Sequence, residues 1–304
     1  MTSTTRTTAR RAACWWVGLS LTAAICAAPG LASASSVDLF YERTVMTAAD
    51  ARCGLFDASV GSALAAARAQ ARGAALRAGA DRATLSAVER RASRKAAGAA
   101  CDSPDLNLAA SRVRTAFEGY AKLIKMDYPG DVSQWRADRS STATAARWRL
   151  AQDTAFDGGT MVFGLAGRIG ANRLMAVANF EDGAAPYAAR LVLRDVDLTL
   201  GPYLDARGDS LERMALARRL PPVAAQTAYA AEARSRAGLD LLPKDLKSGW
   251  AFRFPAQAAR TLAGLDPREA VMVEFLFEGR APRRAYVEVG DFAAGRAFLQ
   301  VANR

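Results

Sequence analysis

Histidine is absent from this chain of 304 residues, and cysteine occurs only four times. Without histidine, Ser-His-Asp and Cys-His catalysis is excluded, as are zinc and copper sites with histidine ligands. Beyond residue 34 the sequence also lacks a Gly-x-Ser-x-Gly elbow, a Ser-x-x-Lys dyad and a Gly-x-x-x-x-Gly-Lys phosphate loop. An enzyme built from this sequence would have to use carboxylates or a metal bound by oxygen ligands.

Lysine is scarce, although the chain is basic. The 41 Lys and Arg residues exceed the 30 Asp and Glu residues by 11, and the net charge falls to about +8 without the first three arginines (11 − 3). Most of this excess is arginine dispersed along the chain, which does not indicate a nucleic-acid-binding patch. We expect no nucleic-acid partner. For an exported protein the available polyanions are lipid headgroups, acidic glycans and acidic proteins.

Residues 1–34 have the features of a cleaved export signal. They contain, in order, Arg6, Arg10 and Arg11, an apolar run over residues 12–28, Pro29, and the small-x-small sequence Ala32-Ser33-Ala34. This order predicts cleavage before Ser35 and a periplasmic or extracellular protein. The alternative is a retained anchor helix, but the apolar run is short and rich in alanine. We expect no transmembrane helix in the mature chain, and the general and twin-arginine export routes both remain open.

Cys53 and Cys101 are the only cysteines that remain after removal of residues 1–34. In an oxidising compartment a lone pair normally forms a disulfide, so we predict that these two are bonded to each other. Closing a loop of this length removes about 4 kcal/mol of chain entropy from the unfolded state.

Residues 35–130 have the pattern of a helical bundle. Asp57, Asp81 and Ser103 are predicted N-caps of three helices, and an earlier helix is expected over residues 37–53. The first two capped helices are expected to stop at Gly79 and Gly98. The disulfide would then join the first helix to the turn before the last one.

The hydrophobic period changes after the bundle. Residues 131–146 are polar and aperiodic and are predicted to form a linker, with separable domains on either side. Residues 147–304 alternate with a period of two in several places, which predicts a mainly antiparallel β domain with one or two short helices, one over residues 255–265 and one capped by Asp291. The expected fold class is therefore α+β. Residues 201–249 give no assignable pattern.

Asp195 and Asp197 are two residues apart on a candidate strand, where their side chains would share a face. Such a pair is compatible with a glycosidase or a calcium site. The alternative is a solvated outer face, with Val192, Val196, Leu198 and Leu200 turned inward. The alternative is favoured, because any two exposed acids on a strand have this spacing.

Arg90, Arg91, Arg94 and Lys95 form the most concentrated basic cluster, on the helix whose other face carries Leu85 and Val88. They form either a docking surface for an anionic partner or an ordinary solvated helix face. Lys244, Lys247 and Trp250 could similarly combine charge and stacking, although Trp250 also has the position of a core residue.

The sequence resembles no family, so its function is an expectation from composition and pattern. We expect a non-enzymatic interaction or envelope-associated protein with no catalytic residues, no cofactor and no metal site. Its partner would be an unknown envelope protein or an anionic surface. The first alternative is a binder of anionic lipid or glycan through basic helix faces, and the second is a carboxylate-based hydrolase.

Overall fold

A computed structural model describes residues 35–140, 145–168, 172–199, 201–204, 211–243 and 245–301. The predicted signal, residues 1–34, lies outside this part of the chain. Within the described ranges, none of the helices combines the length and the apolar composition that a bilayer span requires.

Four helices come first, as expected. Each N-cap side chain accepts a hydrogen bond from the backbone N–H three residues later, which satisfies one of the free donors of the first turn. The acceptors are Ser35, Asp57, Asp81 and Ser103. The helices are α1 (Ser36–Cys53), α2 (Ala58–Arg77), α3 (Arg82–Ala97) and α4 (Pro104–Lys122). The predicted caps at Asp57, Asp81 and Ser103 are confirmed.

The predicted disulfide is confirmed. The Sγ atoms of Cys53 and Cys101 are 2.02 Å apart, and the two Cα atoms are separated by 5.6 Å. The bond joins the end of α1 to the turn that precedes α4.

Two antiparallel sheets follow the helices. The seven-stranded sheet has the order β1-β2-β3-β4-β5-β9-β8, and the four-stranded sheet has the order β11-β10-β6-β7. The strands are β1 (Lys125–Pro129), β2 (Gln134–Asp138), β3 (Arg147–Phe156), β4 (Gly159–Gly167), β5 (Arg173–Phe180), β6 (Ala188–Arg194), β7 (Gln226–Ala230), β8 (Ala233–Arg236), β9 (Trp250–Arg253), β10 (Ala270–Phe277) and β11 (Arg280–Glu288). The predicted α+β class is confirmed.

The two sheets share one apolar core. Phe252 on β9 and Phe275 on β10 are fully buried, with ring centroids 5.5 Å apart, and Phe180 on β5 contacts the same Phe275 ring at 5.2 Å. Two short helices complete the fold, α5 (Ala256–Gly264) and α6 (Phe292–Phe298). Both were expected from the sequence. Asp291 lies at the start of α6, but its side chain makes no capping hydrogen bond.

The linker predicted over residues 131–146 is wrong, because β2 lies inside it and pairs with β1 and β3. The fully buried Trp135 of β2 donates its Nε1–H to the carbonyl of Val289 at 2.9 Å. β1 also extends the sheet into the segment that was expected to be helical. A five-residue strand with only two inward-facing residues, Trp135 and Ala137, is too short to produce a clear alternation.

The helices are also packed directly onto the sheets. Ala66 of α2 belongs to the core that the sheets share. The hydroxyl of Tyr120 on α4 is 2.7 Å from that of Tyr128 on β1. The described residues consequently belong to one compact unit, in place of the separated bundle and β domain expected at 35–130 and 147–304.

The described part of residues 201–249, which had no assignable pattern, contains two strands and several single-turn helices. β7 pairs with β6 in the smaller sheet, while β8 pairs with β9 in the larger one. The chain therefore crosses from one sheet to the other at Ala231 and Glu232.

Candidate functional site

The basic cluster predicted on α3 is a continuous exposed surface. Leu85, Val88, Ala92 and Ala96 bury the opposite side of the helix. Arg90, Arg91, Arg94 and Lys95 are all exposed, and we refer to these four residues as the α3 basic surface. Residues four apart on a helix lie one above the other, so Arg90 with Arg94 and Arg91 with Lys95 form two adjacent columns of positive charge.

No acidic side chain neutralises the α3 basic surface within the described part of the chain. The guanidinium carbon of Arg91 lies 4.3 Å from the ring centroid of Tyr41 on α1, which fixes that arginine by a cation–π contact. Each like-charged pair four residues apart costs the helix about 0.2–0.5 kcal/mol. The surface is therefore electrostatically unfavourable for the free protein, and an anion would relieve it.

The candidate acid pair does not lie on a strand. β6 ends at Arg194, and the Asp195 carboxylate accepts hydrogen bonds from the backbone N–H groups of Asp197 and Leu198, at 2.9 and 3.2 Å. Asp195 therefore stabilises a turn, because its carboxylate satisfies the backbone donors two and three residues later. Val196 and Leu198, expected to point inward, are exposed, and Leu200 lies outside the described residues.

The buried carboxylates are elsewhere, and the sequence analysis missed them. The period-two alternation of residues 271–278 and 284–289 predicts that Glu274 and Glu288 face outward, opposite the valines, but both side chains are buried, as are those of Glu269 and Asp291. Each is bound by arginine. The pairs are Glu269 with Arg194, Glu274 with Arg190 and Arg284, Glu288 with Arg219, and Asp291 with Arg77.

Glu288 organises the loop between β1 and β2. Its carboxylate accepts the backbone N–H groups of Asp131, Val132 and Ser133 at 2.6–3.0 Å, and the fully buried Arg219 donates to it at 3.3 Å. Burial raises the pKa of Glu288, and the three backbone donors oppose that rise. Because every nearby donor comes from the protein itself, this carboxylate has a structural role.

Asp291 joins the helices to the sheets. It receives two hydrogen bonds from Arg77 on α2, at 2.6 and 2.9 Å, and its side chain is 1% exposed. Burial raises the pKa of Asp291, while the bonds from Arg77 act in the opposite direction. This contact connects residues that are 214 positions apart in the sequence.

Trp250 has a different environment from the one proposed with Lys244 and Lys247. The guanidinium carbons of Arg234 and Arg236, on edge strand β8, lie 3.7 and 3.9 Å from its ring centroid. Trp250 is half-buried and contacts the shared core, and Lys244 lies outside the described residues. Charged side chains on an edge strand oppose pairing with another chain, so this group protects the sheet edge.

A cleft of about 740 Å³ lies between the start of α2, α4 and the end of β2. Arg114, Lys122 and Arg139 line it together with Asp57 and Glu118. Asp57 is already engaged as the cap of α2. The walls therefore carry charges of both signs, in contrast to the α3 basic surface.

No group of three or more acidic or cysteine side chains is placed to hold a metal ion in the described ranges. Comparisons with protein-family models, curated proteins and solved structures find no significant similarity to this chain. A functional proposal must accordingly rest on the geometry and charge of the protein itself.

Proposed function

We propose that this protein is a non-enzymatic, envelope-associated binding protein that is exported and docks on an anionic bilayer through the α3 basic surface. The observation that carries the proposal is the group of four exposed cations on one helix without an acidic partner in the described chain. Cations near an anionic membrane contribute about 1 kcal/mol each, so four of them are sufficient for reversible association.

The form of the surface favours a bilayer over a glycan. Glycan sites offer grooves and free aromatic faces, whereas the α3 basic surface lies on the outside of a helix and Arg91 stacks on the Tyr41 ring. None of the exposed large apolar side chains of the described residues lies on α1, α2 or α3. Binding should therefore depend on charge without insertion of apolar groups, and salt should weaken it strongly.

Export is supported by the leader pattern of residues 1–34 and is compatible with the Cys53–Cys101 disulfide. We expect material recovered from the periplasm or medium to begin at or near Ser35. Intact mass and N-terminal sequencing test this expectation. An exported product that retains residues 1–34 would show that the segment is not cleaved.

Vesicle co-sedimentation tests the proposed docking. Wild-type protein should bind vesicles of phosphatidylcholine with one-third phosphatidylglycerol at low salt and should be released at high salt. The Arg90→Gln, Arg94→Gln double variant should bind about 30-fold more weakly, because it loses two contributions of about 1 kcal/mol.

Arg112→Gln with Arg260→Gln provides the matched control. These arginines are exposed on α4 and α5, away from the α3 basic surface, and their replacement changes the net charge by the same amount. The control variant should bind the anionic vesicles with close to the wild-type affinity. Equal losses in both double variants, or equal binding to pure phosphatidylcholine vesicles, would contradict docking through α3.

A further inference from the structure

A crevice of about 320 Å³ separates the helices from the four-stranded sheet. Its walls come from the second half of α2, the first turn of α3 and the segment that joins α5 to β10. A second cavity of about 190 Å³ adjoins it, and Arg72 and Gly264 line both. Crevices between packed layers are common sites for small ligands.

Two of the arginines that line the crevice have no ion-pair partner among the described residues, and Asp81 of the same wall carries a negative charge that no ion pair neutralises. Arg72, half-buried, and Arg82, exposed, make no hydrogen bond or ion pair with any other residue that the structure describes. The acids of the same wall are already engaged. Asp81 accepts the N–H of Thr84 at 2.7 Å, and Asp266 binds the Arg268 guanidinium through two bonds of 2.9 Å.

The fourth arginine of the wall, Arg194, is also neutralised. Its guanidinium donates to both carboxylate oxygens of Glu269, at 2.8 and 3.0 Å, and both side chains are 1% exposed. Arg72 and Arg82 are thus the only arginines of this crevice that lack an acidic partner among the described residues. A guanidinium group can donate two parallel hydrogen bonds to the oxygens of one carboxylate or phosphate. The expected ligand headgroup is therefore a carboxylate or a phosphate.

The adjoining cavity is mostly apolar. Leu262 and Leu265 are buried in its wall, Ala69 and Ala263 are partly exposed to it, and Asp291, whose carboxylate is bound by Arg77, also lines it. Gly264 separates the charged and apolar parts, and a Cβ on this glycine would meet no heavy atom within 4 Å. A ligand with an apolar body beside its anionic headgroup would fit both parts.

We infer that this crevice binds a small organic anion, with its phosphate or carboxylate headgroup between Arg72 and Arg82 and its apolar body against the partly exposed Ala69 and Ala263 of the adjoining cavity. The inference is independent of the proposed membrane docking, because the α3 basic surface contributes no residue to either cavity.

Isothermal titration with phenyl phosphate, inorganic phosphate and benzyl alcohol tests the inference on the whole chain. Phenyl phosphate should bind saturably and at least 10-fold more tightly than inorganic phosphate, while benzyl alcohol should show no saturable binding. Arg72→Gln and Arg82→Gln should each weaken the binding of phenyl phosphate at least 10-fold, because each removes charge-assisted hydrogen bonds to the headgroup. Gly264→Leu should abolish binding by filling the space.

Arg68→Gln is the matched control, since Arg68 lies one turn earlier on α2 and lines neither cavity. It should bind phenyl phosphate as the wild type does, and so should the Arg90→Gln, Arg94→Gln variant. If Gly264→Leu does not fold, the exposed Arg82→Gln still decides the outcome. Unchanged affinity in Arg72→Gln and Arg82→Gln, or an equal loss in Arg68→Gln, would overturn the inference.

Discussion

Two glycines of α2 have opposite surroundings, although they lie on the same helix. A Cβ on Gly73 would lie 2.1 Å from Oδ1 of Asp291, which Arg77 holds in place, whereas one on Gly61 would make only an ordinary contact of 3.5 Å with Asp50. We expect Gly73→Ala to destabilise the protein by about 1–3 kcal/mol through overpacking. Gly61→Ala should stabilise it by up to about 1 kcal/mol, because alanine is the better helix former. Urea unfolding measures both, and equal effects would contradict the packing of Asp291 against α2.

At the scale of single residues, sequence reasoning succeeded where the partner is local. The caps at Asp57, Asp81 and Ser103 depend on an N–H group three residues away, so their type and position are sufficient to identify them. Glu274 and Glu288 could not be identified as buried, because Arg219, the partner of Glu288, lies 69 positions away and Arg190, one of the two partners of Glu274, lies 84 positions away. A charged residue in an alternating strand predicts an outward face unless such a partner is known.

At the scale of elements, Glu274 connects the three strands β6, β10 and β11. It is directly opposite Arg190 on β6 and Arg284 on β11, and both donate to its carboxylate. Burial opposes ionisation, but the hydrogen bonds from Arg284 and Arg190 outweigh it and hold the pKa of Glu274 below its usual value. A lowered folded pKa contributes stability above the unfolded pKa of about 4.3, and this contribution is lost as the pH falls through the folded pKa.

Glu274→Gln should therefore make the free energy of unfolding depend less on pH in the acidic range. The variant should be less stable than the wild type at neutral pH and should lose less further stability between about pH 5 and pH 3. Urea unfolding across this range measures the slope. Glu278→Gln, exposed just after the same strand, is the control and should keep the wild-type slope. Parallel profiles for Glu274→Gln and the wild type would show that the three-strand contact does not depend on this charge.

The elements that could not be predicted from the sequence are those without a clear hydrophobic period. α2, α3, α4 and β10 are long enough for their periods to be recognised. β8 has four residues, is almost entirely exposed and shows no buried face, while the five residues of β2 place only Trp135 and Ala137 on its buried face. They form because neighbouring strands supply the partners for their backbone hydrogen bonds. These pairings depend on the tertiary fold and cannot be read from the local sequence.

At the scale of the whole molecule, the central question is whether the helices and the sheets unfold together. The sequence indicated two domains because the hydrophobic period changes near residue 131. Several contacts cross that boundary, including Arg77 with Asp291 and the ring of Tyr120 with that of Phe298. A change of period identifies where helices give way to strands, but it carries no information on whether they pack against each other.

The tryptophans allow this coupling to be measured. Beyond residue 34 they are Trp135, Trp148 and Trp250, all on strands, whereas the Cys53–Cys101 disulfide lies among the helices. In protein that begins at Ser35, Cys53→Ala with Cys101→Ala should lower the free energy of unfolding by about 4 kcal/mol at most. Because the helices and sheets form one compact unit, the tryptophan fluorescence transition and the far-ultraviolet circular dichroism transition should shift together to lower urea. A fluorescence transition that stays unchanged while the helical signal is lost earlier would instead show that the sheets fold independently of the bundle.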